Sequence, residues 1–175
     1  MIDESYLPFV PSEERYSMVG VNAPNLVVLR SMSKVFAIPG LRVGWLFSSN
    51  EALVQKLRNF LSPWSVNTLA QRVAEKLIAY DDPELVRRIQ HTKQKFLQQI
   101  AAFGWLVPFP GQANFVLLKS LRYPAEALYD YFAQHKILIR NCDNFRGLDR
   151  SFIRISIKAE ANMQEAIRVL AKLSA

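Results

Sequence analysis

The chain has 175 residues, half of them apolar, enough to bury a core and short enough that two domains would both be small. Its single cysteine excludes an internal disulfide and a cysteine-rich metal site, and its two histidines, His91 and His135, are too separated in sequence to suggest a zinc centre. The net charge of +7 is spread along the chain, with Arg87, Arg88, Lys93 and Lys95 on one expected helix, which reads as a solvated face and argues against nucleic-acid binding. The apolar runs are far too short to cross a bilayer and the first residues lack the pattern of a signal peptide, so no membrane partner and a cytoplasmic location are expected.

In chain order, Ile2-Asp3-Glu4 reads as the end of a buried strand whose earlier residues are absent, as if the chain begins in mid-fold. Residues 25–30 and 43–47 are short apolar runs of the kind that form buried strands, and they flank a polar, glycine-containing segment. Asn50 caps an expected helix over residues 51–61, closed by Pro63, and residues 67–80 form a second with Leu69, Val73 and Leu77 at spacings of four. Asp81-Asp82-Pro83 opens a third helix, expected to run to Phe103 before Gly104 stops it. From Trp105 the pattern becomes strand (113–118), helix (124–134), strand (137–140), strand (152–157) and helix (161–173), a small α+β unit. A domain junction is placed near Asp82, giving domains 1–82 and 83–175.

The segment from Arg30 to Trp45 places two hydroxyls, an amine and a guanidinium between two strands. A lysine at a strand's end can be desolvated, which favours the neutral amine able to attack an aldehyde, and Ser31, Ser33 and Arg42 suit a phosphate dianion. Farther on, Arg154 lies within an apolar strand, where a guanidinium needs a partner, and Arg140 closes Ile137-Leu138-Ile139. Ion pairs with Asp130, Asp143 or Asp149 are the structural alternative for these arginines.

Ser31-Met32-Ser33-Lys34 followed by Gly40-Leu41-Arg42-Val43-Gly44 resembles the cofactor-lysine signature of fold-type I pyridoxal-phosphate enzymes, the class I/II aminotransferase superfamily, in the group containing histidinol-phosphate aminotransferase. Asp3-Glu4-Ser5-Tyr6 resembles a second element of that family. The resemblance implies an α/β fold, a remnant of the large-domain sheet followed by a carboxy-terminal α+β small domain. It implies pyridoxal 5′-phosphate as cofactor, with Lys34 as the catalytic Schiff-base residue, Asp3 on the pyridine nitrogen, Tyr6 on the phenolic oxygen, and Ser31, Ser33 and Arg42 around the phosphate. It also implies a phosphorylated amino-acid substrate, with Arg154 on the carboxylate, Arg140 on the phosphate and Asn114 facing the site. A homodimer is implied in the same way.

Pro63-Trp64-Ser65-Val66-Asn67 and the run from Ile137 to Leu148 are more similar to L-threonine-O-3-phosphate decarboxylases, which make aminopropanol phosphate for cobalamin synthesis, than to the aminotransferases. The leading expectation is therefore decarboxylation, with a histidinol-phosphate-type aminotransferase as the alternative. The resemblance also implies that a first half of the fold lies outside these residues, carrying a glycine-serine phosphate loop and the aromatic that stacks on the pyridine ring. A third expectation follows, a noncatalytic fragment: a truncated product, one chain of a split enzyme or part of a longer one. It would bind cofactor weakly and show no turnover alone.

Overall fold

The computed structural model describes residues 1–80 and 82–174, and the chain divides into two compact units, Met1–Pro83 and Glu84–Ala175. In the first, β1 (Ile2–Asp3), β2 (Val28–Ser31) and β3 (Gly44–Phe47) form a three-stranded sheet in that order. β1 runs parallel to β2, with Asp3 opposite Leu29, and β3 runs antiparallel to it, with Gly44 opposite Ser31. A parallel pair needs a crossover connection, usually a helix. Here the link holds two 3-10 turns, Leu7–Phe9 and Glu13–Arg15. A Cβ at Gly44 would lie 2.5 Å from the Arg30 carbonyl oxygen, so glycine is what lets β3 pair at this point.

β2 passes directly into a single helical turn, α1 (Met32–Val35), and the Ser31 hydroxyl accepts from the Ser33 amide at 3.1 Å. Two further helices, α2 (Glu51–Phe60) and α3 (Thr68–Ile78), begin on Asn50 and Asn67. Their side-chain oxygens accept from the amides of Leu53 at 3.0 Å and Ala70 at 2.8 Å, satisfying donors that a helix start leaves free. The expected buried strand at the start is buried only at Glu4; Ile2 and Asp3 are exposed, because β1 is an edge with a neighbour on one side.

The second unit runs α4 (Leu85–Ile100), β4 (Leu106–Phe109), β5 (Phe115–Ser120), α5 (Ala125–Gln134), β6 (Arg140–Asn141), β7 (Phe152–Ser156) and α6 (Glu160–Ser174). Its sheet is antiparallel in the order β4-β5-β7-β6. Strand side chains alternate faces. Val116, Leu118, Ile153 and Ile155 therefore point one way and join Phe96 and Ile100 of α4, Leu128 and Phe132 of α5, and Val169 and Leu170 of α6 in one core. Each such side chain contributes about 1.5–3 kcal/mol on full burial.

Several expectations change. α4 ends at Ile100, three residues before Phe103, where the amides of Ala102 and Phe103 bond back to Gln99 and Ile100 and tighten the last turn. Asp81 of its expected start lies outside the described residues. The expected strand at 137–140 reduces to Arg140–Asn141, and β4 was not anticipated, because Pro108 interrupts its run; the structure places β4 at a sheet edge, where proline is tolerated. Lys93, expected on a solvated face, is buried with 4% exposure.

Candidate active site

In the first unit, β1 and β2 run parallel, so the segments that follow them leave the same edge of the sheet. That edge is where open α/β sheets bind ligands. Lys34 sits in α1 and Tyr6 follows β1, and the Lys34 Nζ lies 5.8 Å from the centre of the Tyr6 ring. Lys34 is exposed, so the desolvation expected for it is not present in this chain. Asp3, also exposed, accepts from the Ser5 amide at 2.9 Å, and the Ser5 hydroxyl together with that amide holds its carboxyl below the usual range.

Ser33 is buried, while Arg42 is exposed. Arg42 adopts a left-handed conformation at φ 55°, which costs a non-glycine residue of order 1 kcal/mol. One of its guanidinium nitrogens donates to the Pro39 carbonyl at 2.9 Å; among the described residues no hydrogen bond joins it to Ser31 or Ser33. Gly44 opposite Ser31 brings the start of β3, two residues beyond Arg42, to the end of β2.

Sequence reasoning missed the group that ties these segments together. Glu4 is buried, accepting from the Met18 amide at 2.6 Å, the Ser17 hydroxyl at 3.0 Å and Arg30 Nε at 3.0 Å. Arg30 also donates to Ser17 at 3.0 Å and reaches Glu13 at 3.5 Å. Burial works to raise the Glu4 pKa, but the bonds from Met18, Ser17 and Arg30 outweigh it and hold the carboxyl below its ordinary value. Extending the register of β1 and β2 by one residue sets Glu4 beside Arg30, so opposite charges at the ends of two adjacent strands were the available signal.

In the second unit, Arg140 of β6 and Arg154 of β7 stand directly opposite each other. Facing side chains of an antiparallel pair share one side of the sheet, with Cβ atoms about 5 Å apart, and like charges there repel. Among the described residues neither arginine has a carboxylate partner, so the alternative of ion pairs with Asp130, Asp143 or Asp149 is not met. Arg154 lies over the Phe115 ring at 4.8 Å and Arg140 over Phe145 at 5.4 Å, with an Arg140 nitrogen donating to the Asn144 side chain at 2.9 Å. Two guanidinium groups packed on aromatic faces are preorganised to take paired anions. Asn114 precedes β5, half-buried, and its carbonyl accepts from the Ile157 amide at 2.8 Å. Between the arginines in sequence, Cys142 is buried, and burial pushes its thiol pKa up against the pull of Arg154 and Arg140.

The chain is similar to known proteins in both sequence and fold. The sequence is 33% identical over 174 residues to the threonine-phosphate decarboxylase of Salmonella typhimurium, covering 97% of this chain and 47% of that protein. The crystal structure of the histidinol-phosphate aminotransferase from Clostridium acetobutylicum superposes with a TM-score of 0.91 at 32% identity, over 98% of this chain and 53% of that one. That of the L-threonine-O-3-phosphate decarboxylase from Porphyromonas gingivalis gives 0.85 at 28% identity, over the same 98% and 53%. The chain thus spans about half the length of the relatives it matches. The family description "Aminotransferase class I and II" matches residues 1–172, and the chain belongs to that family, with the fold of the fold-type I pyridoxal-phosphate enzymes.

Proposed function

We propose that this chain is the cofactor-lysine part of a decarboxylase that converts L-threonine O-3-phosphate to aminopropanol phosphate and carbon dioxide. The observation that carries the reading is the facing pair Arg140 and Arg154, without carboxylate partners among the described residues. Threonine phosphate bears a carboxylate and a phosphate on one short molecule, so one arginine can take each. Histidinol phosphate carries its phosphate on the hydroxymethyl carbon that replaces the carboxylate, so it offers one anion and not two. Kinship with the Salmonella decarboxylase supports the same choice.

The residues present suit pyridoxal phosphate: an amine and a phenol already lie within 5.8 Å of each other, on the segments that also carry a carboxyl held anionic and a serine pair. When bound, the cofactor supplies a ring that accepts the electron pair of the bond broken at Cα. Asp3, kept ionised by Ser5, would face the protonated pyridine nitrogen, and the Tyr6 hydroxyl the phenolic oxygen. Ser31, Ser33 and Arg42 would hold the phosphate. The Lys34 amine would take the covalent attachment and, once displaced by the substrate's amino group, deliver a proton to Cα in the place vacated by carbon dioxide. Arg154 would orient the carboxylate, Arg140 the substrate phosphate, and Asn114 would line the site.

A histidinol-phosphate-type aminotransferase is the second reading, favoured by the higher structural similarity to the Clostridium enzyme. There Lys34 would move a proton from Cα with no carbon–carbon bond broken. A homodimer and a cytoplasmic location belong to both readings; no helix among the described residues is long and apolar enough to cross a membrane. The deciding experiment substitutes residues 1–175 for the matching stretch of the Salmonella decarboxylase and supplies L-threonine O-3-phosphate with 2-oxoglutarate. Release of carbon dioxide and aminopropanol phosphate is expected, and amino-group transfer without carbon dioxide would sink the decarboxylase reading. The 175-residue chain alone is expected to show no turnover.

A further inference from the structure

Lys93 takes no part in the chemistry above, yet it is the buried base of the second unit. It stands in the middle of α4 and its Nζ donates to two backbone carbonyls, Gly111 at 2.6 Å and Ala113 at 2.9 Å. One turn earlier on the same helix, Gln90 Nε2 donates to the carbonyl between them, Gln112, at 2.7 Å. Positions three apart lie on one helix face, so α4 presents both side chains to the same short segment. Among the described residues Lys93 makes no ion pair, so its charge is offset by carbonyl dipoles, and burial lowers its pKa.

The segment held in this way, residues 111–113, has no regular structure of its own and leads directly into Asn114 and Phe115. Asn114 is tied to Ile157 through its carbonyl, and Phe115 provides the ring under the Arg154 guanidinium. Held carbonyls at 111, 112 and 113 therefore fix where β5 begins, and the start of β5 fixes both Asn114 and the surface on which Arg154 rests. Removing the ammonium would strand two carbonyls of a partly buried segment and leave it free to shift.

We infer that Lys93 is a positioning residue for substrate binding: with Gln90 it clamps residues 111–113 and so places Asn114 and, through Phe115, Arg154. This rests on the proposed substrate roles of Asn114 and Arg154, whereas the clamp itself is independent of any ligand.

The test uses the full chain with two readouts. Backbone 15N order parameters at residues 111–114 should fall from about 0.85 to below about 0.6 in Lys93→Met, and partway in Gln90→Ala, the milder variant that stands in if Lys93→Met does not fold. Unchanged values in the folded variants would overturn the clamp. Affinity for L-threonine O-3-phosphate should fall by roughly tenfold in Lys93→Met, the scale of hydrogen bonds lost from a charged donor. It should stay within about twofold in Ile100→Val, which trims the core on the same helix without touching the clamp. Lys93→Arg, which keeps the positive charge and offers donors to both carbonyls, should recover part of the loss. An equal loss in Lys93→Met and Ile100→Val would reduce Lys93 to a purely structural role and overturn the inference. Absence of binding by the unsubstituted chain would count against the substrate reading alone, since the order parameters decide the clamp.

Discussion

Residues 1–83 hold the candidate lysine and the residues proposed for the cofactor ring and phosphate, but their buried apolar side chains are few: Phe9, Val28, Met32 and Ala70. Phe60 and Trp64, at 88% and 86% exposure, lie on the surface with Leu61, Leu69 and Ile78. Residues 84–175 have a continuous core of three helices against one sheet face and carry the facing pair Arg140 and Arg154 on aromatic rings. The buried charges differ in sign as well. The first unit buries the carboxylate Glu4 and satisfies it with an arginine, a hydroxyl and an amide; the second buries the ammonium Lys93 and satisfies it with carbonyls. Where apolar burial is scarce, the polar network has to hold the chain together, and where it is plentiful a buried charge can be reserved for placing one loop.

The sharpest break of this comparison is to separate the units. Residues 84–175 expressed alone should unfold cooperatively in urea, whereas residues 1–83 alone should unfold at lower urea and over a broader range, because so small an apolar core offsets little of the conformational entropy of ordering them. A transition in the first fragment as sharp and as late as that of the second would show that the Glu4 network suffices without further burial.

Next in size are single substitutions, read with one tryptophan at a time: Trp45, in β3, reports the first unit and Trp105 the second. Glu4→Ala leaves Arg30 without its main partner, and breaking a buried pair from one side costs about 3–5 kcal/mol. The first unit should lose its structure while Trp105 reports an unchanged transition. Ile153→Ala, at a fully buried position, should do the reverse, costing the second unit about 2–5 kcal/mol. Transitions that shift together in both variants would remove the distinction between the units.

These contrasts also mark what the sequence discloses. Asn50 and Asn67 are legible as helix starts because a cap bonds to an amide three residues away. Arg140 and Arg154 are legible as arginines at strands. That they face each other is not, because the loop over residues 142–151 sets the register of β6 on β7. Glu4 and Arg30 are 26 residues apart, and only the parallel register of β1 and β2 joins them. Lys93 reads as one more basic residue on a charged helix until the segment at 111–113 folds over it. Local bonds are written in local sequence, and bonds that close over long separations require the topology first.

A smaller effect, in pH, sharpens the contrast of buried charges. The Glu4 pKa is lowered in the folded chain, so the unfolded chain binds a proton more readily. The stability this confers is complete above the ordinary glutamate range and is lost as pH falls through the folded value. The Lys93 pKa is lowered too, so across the window between its folded value and the ordinary lysine range the unfolded chain binds more protons and stability rises with pH. Melting followed at Trp45 should therefore fall in acid, a dependence reduced in Glu4→Gln. Melting followed at Trp105 should rise toward alkaline pH, a dependence reduced in Lys93→Met. If either substitution leaves its own profile unaltered, that charge is not the source of the unit's pH dependence.

The smallest effect lies at Asn67, where a helix cap and a site loop share one side chain. Its oxygen caps α3 at Ala70, and its Nδ2 donates to the Leu41 carbonyl at 3.2 Å, next to Arg42. Asn67→Ala removes both bonds and should cost the first unit about 1 kcal/mol, the usual value of a lost cap. Asn67→Asp keeps an oxygen for the cap but places an acceptor against the Leu41 carbonyl, so α3 should persist while residues 39–42 loosen. Inorganic phosphate titrated into the two variants then separates the roles. If Arg42 is a phosphate ligand whose placement depends on this bond, Asn67→Asp should weaken phosphate binding as much as Asn67→Ala does, although only Asn67→Ala lowers the melting of α3. Retained phosphate binding in Asn67→Asp would mean that the left-handed turn at Arg42 holds itself, and that the polar bonds of the first unit secure its helices more than its site.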